Sequence, residues 1–101
     1  MLDKLMAAQG MAAEIKKRLD TISVEGEVEG GAIKVRATAN KAITAIEIAD
    51  DFFKEMDREG LEELLLTAVN KALAQADQVS ATEMQAATKN MLGGLGGMFG
   101  A

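Results

Sequence analysis

Cysteine, histidine, proline, tryptophan and tyrosine are all absent from this chain of 101 residues, and phenylalanine occurs only three times. Each absence removes a class of chemistry. Without Cys or His there is no thiolate nucleophile, no disulfide, no zinc site of the usual ligand types and no imidazole acid–base pair. With three aromatics there is no platform on which the bases of a single-stranded nucleic acid can stack. No apolar run approaches the roughly 20 residues of a membrane span, and no basic-then-apolar leader opens the chain, so a cytoplasmic protein is the default expectation. The lack of proline suits long uninterrupted helices. The length fits one domain.

What is present is a chain that is 49% hydrophobic with a formal net charge of −5. The acid is localised. Between residues 49 and 80, three cations (Lys54, Arg58, Lys71) stand against eight carboxylates, whereas residues 1–20 carry Lys4, Lys16, Lys17 and Arg18 against Asp3, Glu14 and Asp20. Leu5, Ala8, Ala12, Ile15, Leu19 and Ile22 alternate spacings of three and four, the seam of a helix packed on another helix. Lys16, Lys17 and Arg18 flank that seam near its C-terminal end, where cations complement the helix dipole by about 0.3–1 kcal/mol.

After this helix the period changes to two. Ile22, Val24 and Val28 share one face of a first strand, and Gly30-Gly31 supplies a turn that needs positive φ. Ile33, Val35, Ala37 and Ala39 alternate inward along a second strand, with Lys34, Arg36 and Thr38 outward. Asn40-Lys41 makes a second turn, in which Asn can take the left-handed conformation. Residues 42–48 form a third strand, in which Ile43 breaks the alternation of Thr44, Ile46 and Ile48. Three strands joined by tight turns give an antiparallel meander. Asp50 to Asp57 reads as a loop or short helix holding Phe52 and Phe53. A long helix then runs from about Asp57 to Met91 on an apolar stripe that includes Leu61, Leu64, Leu65, Ala68, Ala72, Ala76 and Ala87. Ser80-Ala-Thr-Glu83 has capping-box spacing, which allows a break near Ser80. Gly93-Gly94 is expected to end the helix. The predicted organisation is α+β, with one domain over residues 1–92 and a flexible Gly/Met-rich tail over 93–101.

Unbroken, the last helix is on the order of 50 Å long at 1.5 Å per residue. A compact domain of this size has a radius of gyration of about 13 Å. Helix therefore projects beyond the sheet, and its apolar stripe calls for a helical hairpin with the first helix and for a dimer.

Little here supports catalysis. Glu62–Glu63 and Asp50–Asp51 read as a solvated acidic face, and Gly30-Gly31 lacks the Lys and the following helix of a phosphate-binding loop. Neither enzyme activity nor a cofactor or metal is expected. The seven Met fall mostly on helices, where they fill seams.

The order helix, meander, long helix and Gly/Met tail resembles the YbaB/EbfC family of bacterial nucleoid-associated proteins. The carriers are Leu5-Met6, Gln9 and Met11 at the start, then Val24-Glu-Gly26 to Gly30-Gly31, Lys34-Val35, Ile46-Glu47-Ile48 and Ala68-Val-Asn70-Lys-Ala72, and lastly the ending from Met91 to Met98. The resemblance implies a cytoplasmic homodimer in the nucleoid that binds double-stranded DNA between projecting helices. On this chain it points to Lys4, Lys16, Lys17 and Arg18 as the DNA-binding residues. Ala7, Ala8, Ala12 and Ala13 stand where the family commonly has Lys, Gln and Glu, and the second turn is Ala39-Asn40-Lys41 instead of an Asn-Gly type. Two functional readings follow. One is a homodimer that binds DNA with little sequence preference through basic residues on projecting helices. The alternative is a structural or protein-interaction dimer that keeps the fold with little DNA affinity and uses the acidic helix or the tail for a protein partner.

Overall fold

The computed structural model describes the backbone of residues 2–99 and, within it, the side chains of residues 6 and 9–89. Helix α1 (Leu2–Asp20) leads into strands β1 (Ser23–Val28), β2 (Ile33–Thr38) and β3 (Ile43–Ile48), then a short helix α2 (Asp50–Glu55) and a long helix α3 (Arg58–Phe99). The architecture is α+β, as the periodicities predict. The three strands form one antiparallel sheet in the order β1-β2-β3.

Both turns form where expected, but in each a non-glycine residue takes the left-handed conformation. The β1–β2 connection is a single tight helical turn at Glu29–Gly31, in which Glu29, Gly30 and Gly31 take φ of 53°, 64° and 93°. In the β2–β3 turn the left-handed residue is Lys41, at φ 69°, not Asn40. Asn40 is occupied with hydrogen bonds described below. The irregularity at Ile43 is a β-bulge. Arg36 pairs with Ala45 but Ala37 pairs with Ile43, so Thr44 is the extra residue and the face of β3 changes phase there.

Paired residues of an antiparallel ladder project to the same face. On one face this aligns Val24, Gly26 and Val28 with Ala37, Val35 and Ile33, and these in turn with Ile43, Ile46 and Ile48. Helix α3 covers that face over β1 and β2. Ile33, Val35 and Ala37 are fully buried against Ala68 and Ala72, with Leu61, Leu64, Leu65, Val69 and Phe52 packed around them. The alanine stripe Ala68, Ala72, Ala76 is what lets α3 lie so close. At Gly26 the backbones meet directly, and a Cβ there would run into the Ala68 carbonyl oxygen and the Ala72 nitrogen. Asp57 caps α3 by accepting the Gly60 N–H at 3.0 Å.

The opposite face of the sheet is charged, with Glu25, Glu27 and Glu47 set against Lys34 and Arg36. Glu25 sits across from Arg36, and Lys34 lies between Glu27 and Glu47. The sheet cations are thus matched by carboxylates.

Helix α3 passes through Ser80 without the break that the capping-box spacing allowed. Thr82 instead donates its hydroxyl to the Gln78 carbonyl at 2.9 Å, a back-bond that leaves the helix ladder intact. The helix is traced past Gly93-Gly94, where the sequence predicts its end, to Phe99. The expected flexible tail, 93–101, lies outside the residues whose side chains are described. The radius of gyration is 19.3 Å and the longest extent 65 Å, well above the roughly 13 Å radius of a compact domain of this length. The helices project. Among the described residues no helix is long and apolar enough to cross a membrane.

The helix phase makes a testable contrast. Leu65 packs on the core, whereas Glu62 is exposed and, among the described residues, pairs only with Arg58 on its own helix, at 3.0 Å. Leu65→Ala is expected to cost about 2–3 kcal/mol in urea unfolding, and Glu62→Ala to stay within roughly 0.5 kcal/mol. Equal costs at the two positions would place the stripe on the wrong side of α3.

Candidate functional site

The basic residues singled out in the sequence all lie on α1, but they do not form one cluster. Lys4 is near the start of the helix, about 18 Å along its axis from Lys16, and its side chain lies outside the described residues. Lys16, Lys17 and Arg18 are consecutive in the closing turns of α1. Lys16 and Lys17 are exposed and have no ion-pair partner among the described residues. Arg18 is different. Its Nε donates to Glu83 on α3 at 2.8 Å, and Glu83 retains only 22% of its side-chain exposure while Arg18 keeps 69%. The guanidinium is therefore shared between solvent and a carboxylate.

Where these residues sit follows from how α1 is anchored. Leu19 is buried and the Ala39 N–H donates to the Ile22 carbonyl at 3.0 Å, so the C-terminal end of α1 is pinned to the sheet. From there α1 runs back along α3. Met11 and Ile15 face Ala86 and Ala87 across an open cleft of about 500 Å³, with Arg18 and Glu83 at its rim. Ala12, expected on the seam, is exposed, and the facing row is Met11, Ile15, Leu19. That row advances four residues at a time, which an alternating three-four reading blurs.

Three residues outside the basic set complete the site. Asn40 donates its Nδ2 to the Lys16 carbonyl at 2.8 Å and to Asp20 Oδ1 at 2.6 Å. Lys41 Nζ pairs with Asp77 Oδ1 of α3 at 2.6 Å. Glu83 is the partner of Arg18. None of these pairings has a local signal in the sequence, because the partners lie 20 or more residues apart; only the Asn40-Lys41 turn itself was legible. Charge around the end of α1 is close to balanced, with Lys16, Lys17 and Arg18 facing Glu14, Asp20 and Glu83. The ammonium groups left there without an ion-pair partner among the described residues are those of Lys16 and Lys17, and side chains of this kind suit phosphate contacts that carry no base reading.

Residues 1–91 match the model of the YbaB/EbfC DNA-binding family. Curated relatives named nucleoid-associated protein occur in Ruminiclostridium cellulolyticum, 39% identical over 98% of this chain and 88% of the relative, and in Flavobacterium johnsoniae, 32% identical over 97% and 91%. Another, from Thermus thermophilus, is 35% identical over 99% of this chain and 92% of its own. Among solved structures, that of an uncharacterised Helicobacter pylori protein shares the fold with a TM-score of 0.64, covering 77% of this chain and 90% of that one at 14% identity.

Proposed function

Starting from the fact that the chain belongs to the YbaB/EbfC DNA-binding family, we propose that it is a nucleoid-associated protein that binds duplex DNA as a homodimer with little sequence preference. The observation that carries this reading is the exposed pair Lys16 and Lys17, with Arg18 beside them, on a helix that projects from the sheet. Contacts run from these side chains, together with Lys4, to phosphates. Attraction is local, because two chains of −5 each repel a polyanion overall.

The dimer is proposed to form on β3. Helix α3 leaves the sheet face there uncovered, and Ile43, Ile46 and, on the neighbouring α2, Phe53 are 41%, 52% and 57% exposed. The outer edge of β3 also carries unpaired backbone groups, which a second antiparallel β3 satisfies around a two-fold axis. Light scattering at micromolar concentration should give twice the chain mass. A stable monomer at that concentration would remove the paired-arm arrangement.

For DNA, a mobility shift with a random duplex should be visible at low salt and largely gone at moderate salt, with log K falling by about 0.9 per phosphate neutralised for each unit of log salt. Replacing Lys16, Lys17 and Arg18 together by Ala should abolish the shift and leave the dimer intact. An unchanged shift would show that these cations only complement the helix end. The Arg18–Glu83 pair favours a second reading, a dimer whose acidic α3 meets a protein partner. That reading takes over if the wild type fails to shift DNA even at low salt.

A further inference from the structure

Successive residues of the β2–β3 turn reach in two directions. Asn40 ties down the end of α1 through the Lys16 carbonyl and Asp20, and Lys41 ties down α3 through Asp77. The turn is itself held in shape. Thr38 Oγ1 accepts the backbone N–H groups of Asn40 and Ala42 at 3.2 and 3.4 Å, and the Lys41 N–H donates to the Thr38 carbonyl at 2.9 Å. Lys41 adopts φ 69°, a conformation an L residue rarely takes, and it is this backbone geometry that accompanies the ammonium's reach to α3.

We infer that the Asn40–Lys41 turn is a bracket that sets the angle between α1 and α3. Among the described residues, side-chain packing between the helices does not by itself fix that angle. Beyond the pivot at Leu19 and Ile22, the described residues leave an open cleft beneath Met11 and Ile15, and among them the further tie is the Arg18–Glu83 pair at the rim of that cleft. α1 is a lever of 19 residues, about 28 Å long, so that a tilt of about 10° moves its far end by roughly 5 Å. That exceeds the rise of about 3.4 Å between successive phosphates on one strand. Resting on the proposed DNA-binding role, Asn40 and Lys41 are then positioning residues: they place the outer turns of α1, and Lys4 on them, relative to Lys16, Lys17 and Arg18 at the pivot, without touching DNA.

The test begins on the protein without DNA. The chain contains no cysteine, so Gln9→Cys and Met84→Cys, both exposed, accept nitroxide labels selectively. Double electron–electron resonance on doubly labelled subunits, diluted with unlabelled protein, reads the spacing of the two arms within one subunit. The wild-type bracket should give one narrow distribution. Asn40→Ala combined with Lys41→Ala should broaden it at least about twofold, whereas Lys41→Arg, which keeps the cation, should retain the wild-type width. If the double variant does not fold, Asn40→Asp decides the matter, because it keeps the side-chain shape while replacing the donor by a carboxylate facing Asp20. Distributions that stay narrow in whichever of these variants folds would overturn the bracket.

A DNA titration then separates positioning from contact. Asn40→Ala changes no charge, so it should weaken binding about 3- to 10-fold through lost preorganisation, with the salt slope unchanged. Unchanged affinity, or a loss accompanied by a shallower slope, would refute the positioning role. Should the wild type bind no DNA, the DNA-binding role falls, and the distance distributions still decide whether the turn sets the arms.

Discussion

Gly26→Ala is expected to destabilise the protein by at least about 3 kcal/mol, a large part of the 5–15 kcal/mol that holds a typical domain together. The added methyl meets no movable side chain. It runs into the carbonyl oxygen of Ala68 and the nitrogen of Ala72, with the Lys71 carbonyl carbon 3.0 Å away, all backbone atoms of α3. Rotamer changes cannot relieve the clash, so α3 has to lift off β1. The fully buried layer of Ala68 and Ala72 over Val35 and Ile33 then opens with it, which carries the cost beyond ordinary overpacking. Gly10→Ala is the internal control. No atom lies within 4 Å of a Cβ at Gly10, in the middle of α1, and the change should stabilise by up to about 1 kcal/mol. Thermal or urea unfolding of the two variants should move in opposite directions. A Gly26→Ala protein as stable as the wild type would mean that α3 does not lie on β1 at this point.

Ile46→Glu is expected to convert the dimer to a monomer with little loss of chain stability. Ile46 is 52% exposed within one subunit, so the glutamate remains hydrated when the subunit is alone. In a β3-to-β3 dimer the substitution occurs twice, close to the two-fold axis, and buries carboxylates in an apolar patch beside Ile43 and Phe53. Desolvation and mutual repulsion should cost roughly 3 kcal/mol or more, about a 100-fold rise in the dissociation constant. Light scattering should then show half the wild-type mass, while urea unfolding shifts modestly. Glu47→Gln, one residue along and on the opposite face of the sheet, should leave the mass unchanged. DNA affinity should fall with dissociation, because two linked sets of cations become one. A dimer that survives Ile46→Glu would place the interface elsewhere.

The site divides along a physical line. The positions of Lys16, Lys17 and Arg18 at the end of α1 were legible because helix period and charge are local properties. That Arg18 is occupied by Glu83 was not, since 65 residues separate the two. Asn40 could be read as a turn former, yet its amide spends its donors on Lys16 and Asp20, and the left-handed strain falls on Lys41.

By itself the sequence determined the elements and much of the chemistry. The change of period from 3.6 to 2 and back placed α1, the meander and α3, and the absence of Cys and His removed catalysis by thiol, imidazole and the usual zinc sites. These are properties of residues and their near neighbours along the chain. Only the tertiary structure decided that Gly26 is where two backbones touch, that Thr44 forms a bulge, that β3 keeps an uncovered apolar face and that one turn braces two helices. Each of these depends on which distant surfaces come within van der Waals or hydrogen-bonding reach. A period along the chain specifies which face of an element is apolar, but not which element covers that face or how closely.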